Sequence, residues 1–168
     1  ADNKRRLSMW ENVQGNIENS FEPYATCEDL TRIYRVKFEE SPEDVELLEK
    51  ITNILDDKNC DETDLFFETT KKLHELQPTA ESAKKMGRML LAEENYDEAI
   101  KYLKESAKLF EDEVEKADAY KILANIYSMK EQFVTARDYA YKSLELIPKD
   151  GKLYIMIGDM YASSADQC

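Results

Sequence analysis

The chain has 168 residues, of which 42% are hydrophobic and 35% are charged, so it is long enough for one domain or one short array of repeats. Four glycines and four prolines leave little material for β-turns and favour helices. The net charge of -13 disfavours a nucleic-acid-binding protein, because phosphate contacts need a basic surface. Direct insertion into a membrane is also disfavoured, since no apolar run reaches the roughly 20 residues of a spanning helix.

Residues 1–41 carry two apolar stripes with helical spacing, and we expect them to form one degenerate pair of antiparallel helices. The first stripe extends from Leu7 to Phe21, and the second extends from Leu30 to Phe38. Thr26, with Asp29 three residues later, is typical of a capping box. We therefore expect the second helix to begin just after Thr26.

Residues 42–78 repeat this arrangement as a second degenerate pair. The apolar stripes are Leu47, Leu48, Ile51, Ile54 and Leu55, followed by Leu65, Phe66, Thr69, Leu73 and Leu76. Ser41 before Pro42 is the expected cap of the first helix, and Asp61, with Asp64 three residues later, is the expected cap of the second. Phe66 occupies a position that is alanine in the later pairs, so we expect these two helices to be splayed more widely.

Residues 79–112, 113–149 and 150–168 contain three copies of one pattern. Its central small residue is Gly87, Ala124 or Gly158, and the intervals are 37 and 34 residues (124 − 87 and 158 − 124). We expect this small residue to let the first helix of each pair approach the second closely. Pro148 closes the second copy, and the third contains only its first helix. The whole chain should therefore contain nine helices.

The pattern resembles the tetratricopeptide repeat, in which a large residue, Leu-Gly, Tyr, Ala and Pro recur at fixed positions. The resemblance implies an all-α fold, a right-handed superhelix of antiparallel helix pairs that forms a single domain over residues 1–168. Each pair is too small to bury its apolar faces alone, so successive pairs must stack. It also implies a protein-interaction scaffold that binds a protein or peptide.

The sequence contains no arrangement that is typical of a catalytic or metal site, so we expect neither an enzyme nor a cofactor. His74 is the only histidine, and no partners at the spacing of a catalytic triad accompany it. We interpret it as a surface or half-buried helix residue. The three cysteines are too widely spaced for a CxxC metal site.

Cys27 and Cys60 each lie beside the expected beginning of a second helix, and therefore on the same edge of the solenoid. A disulfide between them is geometrically conceivable if their Cα atoms lie within about 7 Å. Free thiols are the alternative. Cys168 lies at the corresponding phase of the last copy.

The candidate partner-binding surface is the concave face, which the first helices of the pairs should line with residues that point away from the second helices. These residues are Lys84, Arg88, Leu91, Lys121, Asn125, Met129, Lys152 and Asp159. The four cations among them oppose the net charge of the chain and would favour an acidic partner or a C-terminal carboxylate. Alternatively, the lysines pair with acidic residues on adjacent helices.

The stretch from about Tyr24 to Cys168 is similar to large tetratricopeptide proteins from the envelope of Gram-negative gut bacteria. The similar segments are Tyr24-Ala-Thr-Cys27-Glu-Asp-Leu30, the Cys60 turn before Asp64-Leu-Phe-Phe67, and Gly158-Asp-Met-Tyr161-Ala-Ser. This resemblance implies an extracytoplasmic location, either periplasmic or secreted. Together with a first residue that is Ala1 rather than Met, it leads us to expect a fragment of a longer chain.

The alternative function is structural self-association within a larger envelope protein. Tyr154, Ile155, Ile157 and Tyr161 lie on the last expected helix, and a following helix would be needed to cover them. We therefore expect an apolar face at this end of the solenoid.

Overall fold

The computed structural model describes residues 20–165, which form an all-α superhelical solenoid. Within this range a short 3-10 helix, Glu22–Tyr24, is followed by eight α-helices and no strand. They are α1 Cys27–Glu40, α2 Val45–Asp57, α3 Asp64–Leu76, α4 Ala80–Ala92, α5 Tyr96–Leu109, α6 Glu113–Met129, α7 Phe133–Leu146 and α8 Gly151–Ala165. The expected first helix falls mostly on residues outside the described range.

Side-chain caps set the beginnings of several helices, although two of the predicted caps were wrong. Thr26 and Asp29 form the expected capping box of α1. Asp44, rather than Ser41, caps α2, because residues 41–44 form a turn in which the Asp44 N–H donates to the Ser41 carbonyl. Thr63, rather than Asp61, caps α3 by accepting a hydrogen bond from the Phe66 N–H. A good cap contributes about 1 kcal/mol to the stability of its helix, so Asp44 and Thr63 are the residues whose loss should destabilise α2 and α3.

Two hydrophobic cores extend along the solenoid, and α4 contributes to both. The N-terminal core is built by α1 to α4 and includes Leu30, Phe66 and Met89. The C-terminal core is built by α4 to α8 and includes Leu103 and Leu123. As Phe66 led us to expect, α2 and α3 pack less closely on each other than α4 and α5 do. The packing is therefore continuous through α4. The two helices of each later pair lie closer together than α2 and α3 do.

The turn inside each helix pair has the same backbone conformation. Asn59, Glu94 and Glu131 follow α2, α4 and α6 respectively, and each has a positive φ of between 54° and 58°. The next N–H donates back to the last turn of the helix, for example from Asn95 to Leu90 at 2.8 Å. This is the Schellman arrangement that ends a helix with a left-handed residue. Its recurrence marks three structural repeats that begin with α2, α4 and α6.

The small residues behave as expected in two of the three copies. Gly87 is buried and lies against Leu103 of α5, and Ala124 of α6 is fully buried in the C-terminal core. Gly158 is exposed instead, with no atom within 4 Å of the position that a Cβ would take. Among the described residues, no helix packs against that side of α8. Ile157 was expected to be exposed, but it is only 6% exposed because it packs into the C-terminal core.

Candidate functional site

A groove of about 650 Å³ lies along the first helices of three successive pairs. Its walls come from the end of α2, the following turn, the first residues of α3, the second half of α4 and the middle of α6. These segments meet because the first helices of stacked pairs lie side by side. We refer to this feature as the α4 groove, since α4 forms its centre. Its volume is typical of sites that bind small ligands or parts of peptides.

Apolar side chains form the floor of the α4 groove. Phe66 and Met89 are almost fully buried because they also belong to the N-terminal core. Phe67, Leu91 and Ile122 are half-buried, which leaves part of each side chain facing the groove. No described helix covers them. The floor therefore offers apolar surface that a binding partner could remove from water.

Acidic side chains dominate the rim of the α4 groove. They are Asp56, Asp61, Glu62, Asp64, Glu68 and Glu93. The only cations in the lining are Lys85 and Arg88, so the lining has four more acids than cations (6 − 2). The groove is therefore strongly acidic, in keeping with the charge of the whole chain.

Two of these acids are neutralised within the described part of the chain. Asp56 forms an ion pair with Lys85 at 3.3 Å, and Glu68 forms one with Arg35 on α1. Lys85 is buried, and it also donates a hydrogen bond to Asn53 at 3.0 Å. This lysine therefore joins α4 to α2 beneath the groove. The other four acids of the rim form no ion pair with any described residue.

Lys84 and Lys121, two of the predicted binding cations, form ion pairs with the neighbouring repeat. Lys84 Nζ lies 2.6 Å from a carboxylate oxygen of Glu115 and 2.8 Å from one of Asp118. Burial alone would lower the pKa of Lys84, but the hydrogen bonds to the two carboxylates outweigh it and raise the pKa above its ordinary value. Lys121 Nζ lies 2.7 Å from Asp150. For these two lysines, the alternative interpretation, pairing with adjacent helices, is the correct one.

These contacts belong to a series of ion pairs between successive repeats. Lys84 and Lys121 reach forward along the chain by 31 and 29 residues, which is about one repeat. The hydrogen bond from Lys121 lowers the pKa of Asp150, and Asp150 also caps α8 by accepting from the Leu153 N–H. Lys84 and Lys121 thus stabilise the stacking of repeats instead of presenting free charge.

The structure brings only three of the eight predicted surface residues into the α4 groove, namely Arg88, Leu91 and Asn125. Met129, Lys152 and Asp159 are exposed but lie outside it. The sequence interpretation missed Phe67 and Ile122 on the floor and every acid on the rim. Three of those acids, Asp61, Glu62 and Asp64, lie in the run that was interpreted only as a helix beginning. Their density was the signal that could have identified the rim.

A disulfide joins Cys27 and Cys60, whose Cα atoms are 5.4 Å apart. It links the beginning of α1 to the turn between α2 and α3. Asp61 on the groove rim is the next residue along the chain, so the bond anchors this part of the rim to the neighbouring helix pair. Cys168 lies outside the described residues.

His74 occupies a half-buried helix position, as the sequence indicated. Its Nδ1 lies 2.9 Å from the Ser82 hydroxyl, and its ring packs edge-on against Tyr102. Residues 20–165 contain no cluster of three or more potential metal ligands. In the same range, no helix is both long enough and apolar enough to cross a membrane.

A comparison with known families identifies a repeat in part of the chain. Residues 78–149, which include α4 to α7, match the family model described as Tetratricopeptide repeat. The match supports the tetratricopeptide repeat family. It covers the two copies in which the sequence pattern is most complete. No curated protein sequence matches the chain.

Solved structures with the same fold cover most of the chain. The chain is 22% identical to one structure of MamA protein, with a TM-score of 0.76 and coverage of 92% of this chain and 82% of that one. A second MamA structure is 23% identical, with a TM-score of 0.74 and coverage of 89% and 85%. PilF of Pseudomonas aeruginosa is 18% identical, with a TM-score of 0.61 and coverage of 98% and 69%. At these identities the similarity is one of fold.

Proposed function

We propose that this chain is a protein-interaction scaffold and that the α4 groove binds a peptide segment of its partner. The observation that carries the proposal is the open groove of about 650 Å³, with apolar side chains on its floor that no described helix covers. The tetratricopeptide repeat match over residues 78–149 supports a scaffold of this kind. Burying apolar surface favours binding by roughly 25 cal/mol per Å², so a partner that covers the floor binds more tightly.

The groove is a binding surface in this proposal and has no catalytic role. Six of its ten polar side chains are carboxylates on an open rim, and the lining contains no histidine or cysteine. The hydroxyl in the lining, that of Thr63, donates to the Cys60 carbonyl and accepts from the Phe66 N–H, so it is engaged in capping α3.

The test compares the same substitution inside and outside the groove. Ala92 is exposed at the end of α4 and lines the groove, whereas Ala162 is exposed on α8 and does not. Ala92→Trp should fill the groove, and Ala162→Trp should leave it open. Peptides selected from a random library on the unmodified chain should lose binding to the first variant and keep it with the second. Equal binding to both variants would refute the groove as the binding surface.

We also propose an extracytoplasmic location. The support is the disulfide between Cys27 and Cys60, because disulfides persist in oxidising compartments and are rare in the cytosol. Alkylation of the chain in its native cells, followed by mass spectrometry, measures the state of the two cysteines. Both should be protected from alkylation until a reductant is added. Alkylation without reductant would count against this location.

A second candidate function, self-association, is favoured by the surface of α8. Tyr154, Ile155 and Tyr161 are 54%, 67% and 52% exposed, which is unusual for large apolar and aromatic residues of one helix. A second copy packed against this face would cover them. Sedimentation equilibrium over a range of concentrations tests this: Ile155→Lys should weaken any dimer, and a concentration-independent monomer would exclude the function.

A further inference from the structure

We infer that the partner segment of the α4 groove is basic, carrying lysine or arginine residues around an apolar anchor. This inference rests on the proposed function, because it specifies the partner of the same groove. It replaces the acidic partner that the lysines of the first helices led us to expect. Three features of the groove carry it.

The first feature is the charge of the rim. Four acids, Asp61, Glu62, Asp64 and Glu93, line the groove without an ion pair to any described residue. Like charges that are held close together repel one another, and a cationic ligand relieves that repulsion. An acidic ligand would add to it. Complementary charge also speeds the encounter of the two partners.

The second feature is how little positive charge remains in the groove. The Lys85 ammonium is buried and is already paired with Asp56. Outside the groove, Lys84 and Lys121 are bound to carboxylates of the next repeat. Arg88 is the one cation of the lining without an ion pair in the described part of the chain. A carboxylate of the partner could reach Arg88, but it would do so surrounded by the acids of the rim.

The third feature is the position of the apolar floor relative to the rim. Phe67 and Leu91 are half-buried on the floor, and Ala92 is exposed beside them. Carboxylates of the same groove lie on the turn before α3 and just after the end of α4. A matching segment would place an apolar side chain on the floor and basic side chains beside it. Lysine and arginine suit this geometry further, because their aliphatic stems can lie along apolar surface while the charge stays at the rim.

The experiment uses short synthetic peptides and the complete chain. Four fluorescent peptides of equal length combine cationic or anionic side chains with or without a central leucine pair. Fluorescence anisotropy measures the dissociation constant of each peptide. The cationic peptide with leucines should bind most tightly, and its affinity should fall when salt is raised from about 50 to about 500 mM, because screening shortens the range of the charges.

Matched variants separate the rim from the overall charge of the chain. Asp61→Asn/Glu62→Gln removes two unpaired acids from an exposed turn of the rim. Asp138→Asn/Glu145→Gln removes the same charge from the exposed face of α7, which does not line the groove. The rim variant should bind the cationic peptide roughly 3- to 10-fold more weakly, since each exposed ion pair contributes modestly. The α7 variant should bind it as the unmodified chain does.

The outcomes distinguish the basic partner from the groove itself. Stronger or equal binding of the anionic peptide with leucines, abolished by Ala92→Trp, would overturn the basic partner and leave the groove as a peptide site. Equal loss of affinity in the rim and α7 variants would also overturn it, because the attraction would then come from the whole chain. Failure of all four peptides to bind would count against both proposals.

Discussion

Gly87 and Gly158 occupy the same position of the repeat, yet the same substitution should affect stability differently at the two sites. A Cβ added at Gly87 would lie 2.5 Å from Leu103 Cγ, 2.9 Å from Leu103 Cδ2 and 3.4 Å from the Ala99 carbonyl oxygen. A Cβ added at Gly158 would meet nothing within 4 Å. The difference arises because α5 packs against α4, whereas no described helix packs on the equivalent side of α8.

The magnitude follows from two opposing terms. Alanine is favoured over glycine in a helix interior by about 1 kcal/mol, and this gain applies at both sites. At position 87, the methyl group must also displace the Leu103 branch carbon, which cannot move without shifting the whole side chain. Overpacking of this kind costs about 1–3 kcal/mol. The Gly158→Ala variant should therefore be up to about 1 kcal/mol more stable than the unmodified chain, and Gly87→Ala should lie about 1–3 kcal/mol below Gly158→Ala.

Urea unfolding followed by circular dichroism measures both free energies of unfolding. A further variant tests whether the clash with Leu103 is the cause. In a chain that already carries Leu103→Ala the clash is removed, so adding Gly87→Ala should increase the free energy of unfolding. If Gly87→Ala alone stabilises the chain as much as Gly158→Ala does, the close approach of α4 to α5 is refuted. The repeat register derived from the sequence pattern would then also be wrong.

Three further predictions concern the disulfide, an ion pair and a turn. Replacing Cys27 and Cys60 by serine should lower the free energy of unfolding by about 3–4 kcal/mol, because the bond closes a loop with a sequence separation of 33. Thermal and urea unfolding measure this loss, and an unchanged unfolding midpoint would contradict it. Asp150→Asn keeps the helix cap but weakens the contact with Lys121. The contact lowers the pKa of Asp150 from 3.8, so its stabilisation is present above this pH and is lost as the pH falls through the lowered pKa. The variant should therefore be less stable than the unmodified chain near neutral pH. The difference between the two should vanish in strong acid. Glu94→Gly should stabilise the chain by about 1 kcal/mol in the same unfolding assay, because Glu94 has a φ of 58° and glycine adopts this left-handed conformation without steric cost. A loss of stability would argue against the left-handed turn.

The repeats were predictable from the sequence because the signals are local. Stripes such as Leu47 to Leu55 have the spacing of one helix face, and Pro148 ends a helix wherever it occurs. The position of Gly87 opposite a large residue also follows from the repeat, since the helices of a pair are joined by a short turn. The helix beginnings at Ser41 and Asp61 were less accurate, because several neighbouring residues can serve as a cap and the local turn decides among them.

The candidate site was only partly predictable, since its charge depends on which residues meet. The sequence indicates that Lys84 and Lys121 lie on the first helices, but it does not show that Asp118 and Asp150 lie within reach of them. Counting four cations on one face therefore predicted a basic surface. Because ion pairs form between repeats, two of those four cations are neutralised.

By itself, the sequence determined the helices, their pairing and their stacking, since each helix pair has apolar faces that only its neighbours can cover. The tertiary structure alone decided where the open groove lies and which charge it carries. Asp61 and Ile122 are far apart along the chain, and they line one groove because the first helices of successive pairs lie side by side. Periodicity reports which face of a helix is buried, but the balance of charge around a groove is a property of the packed repeats.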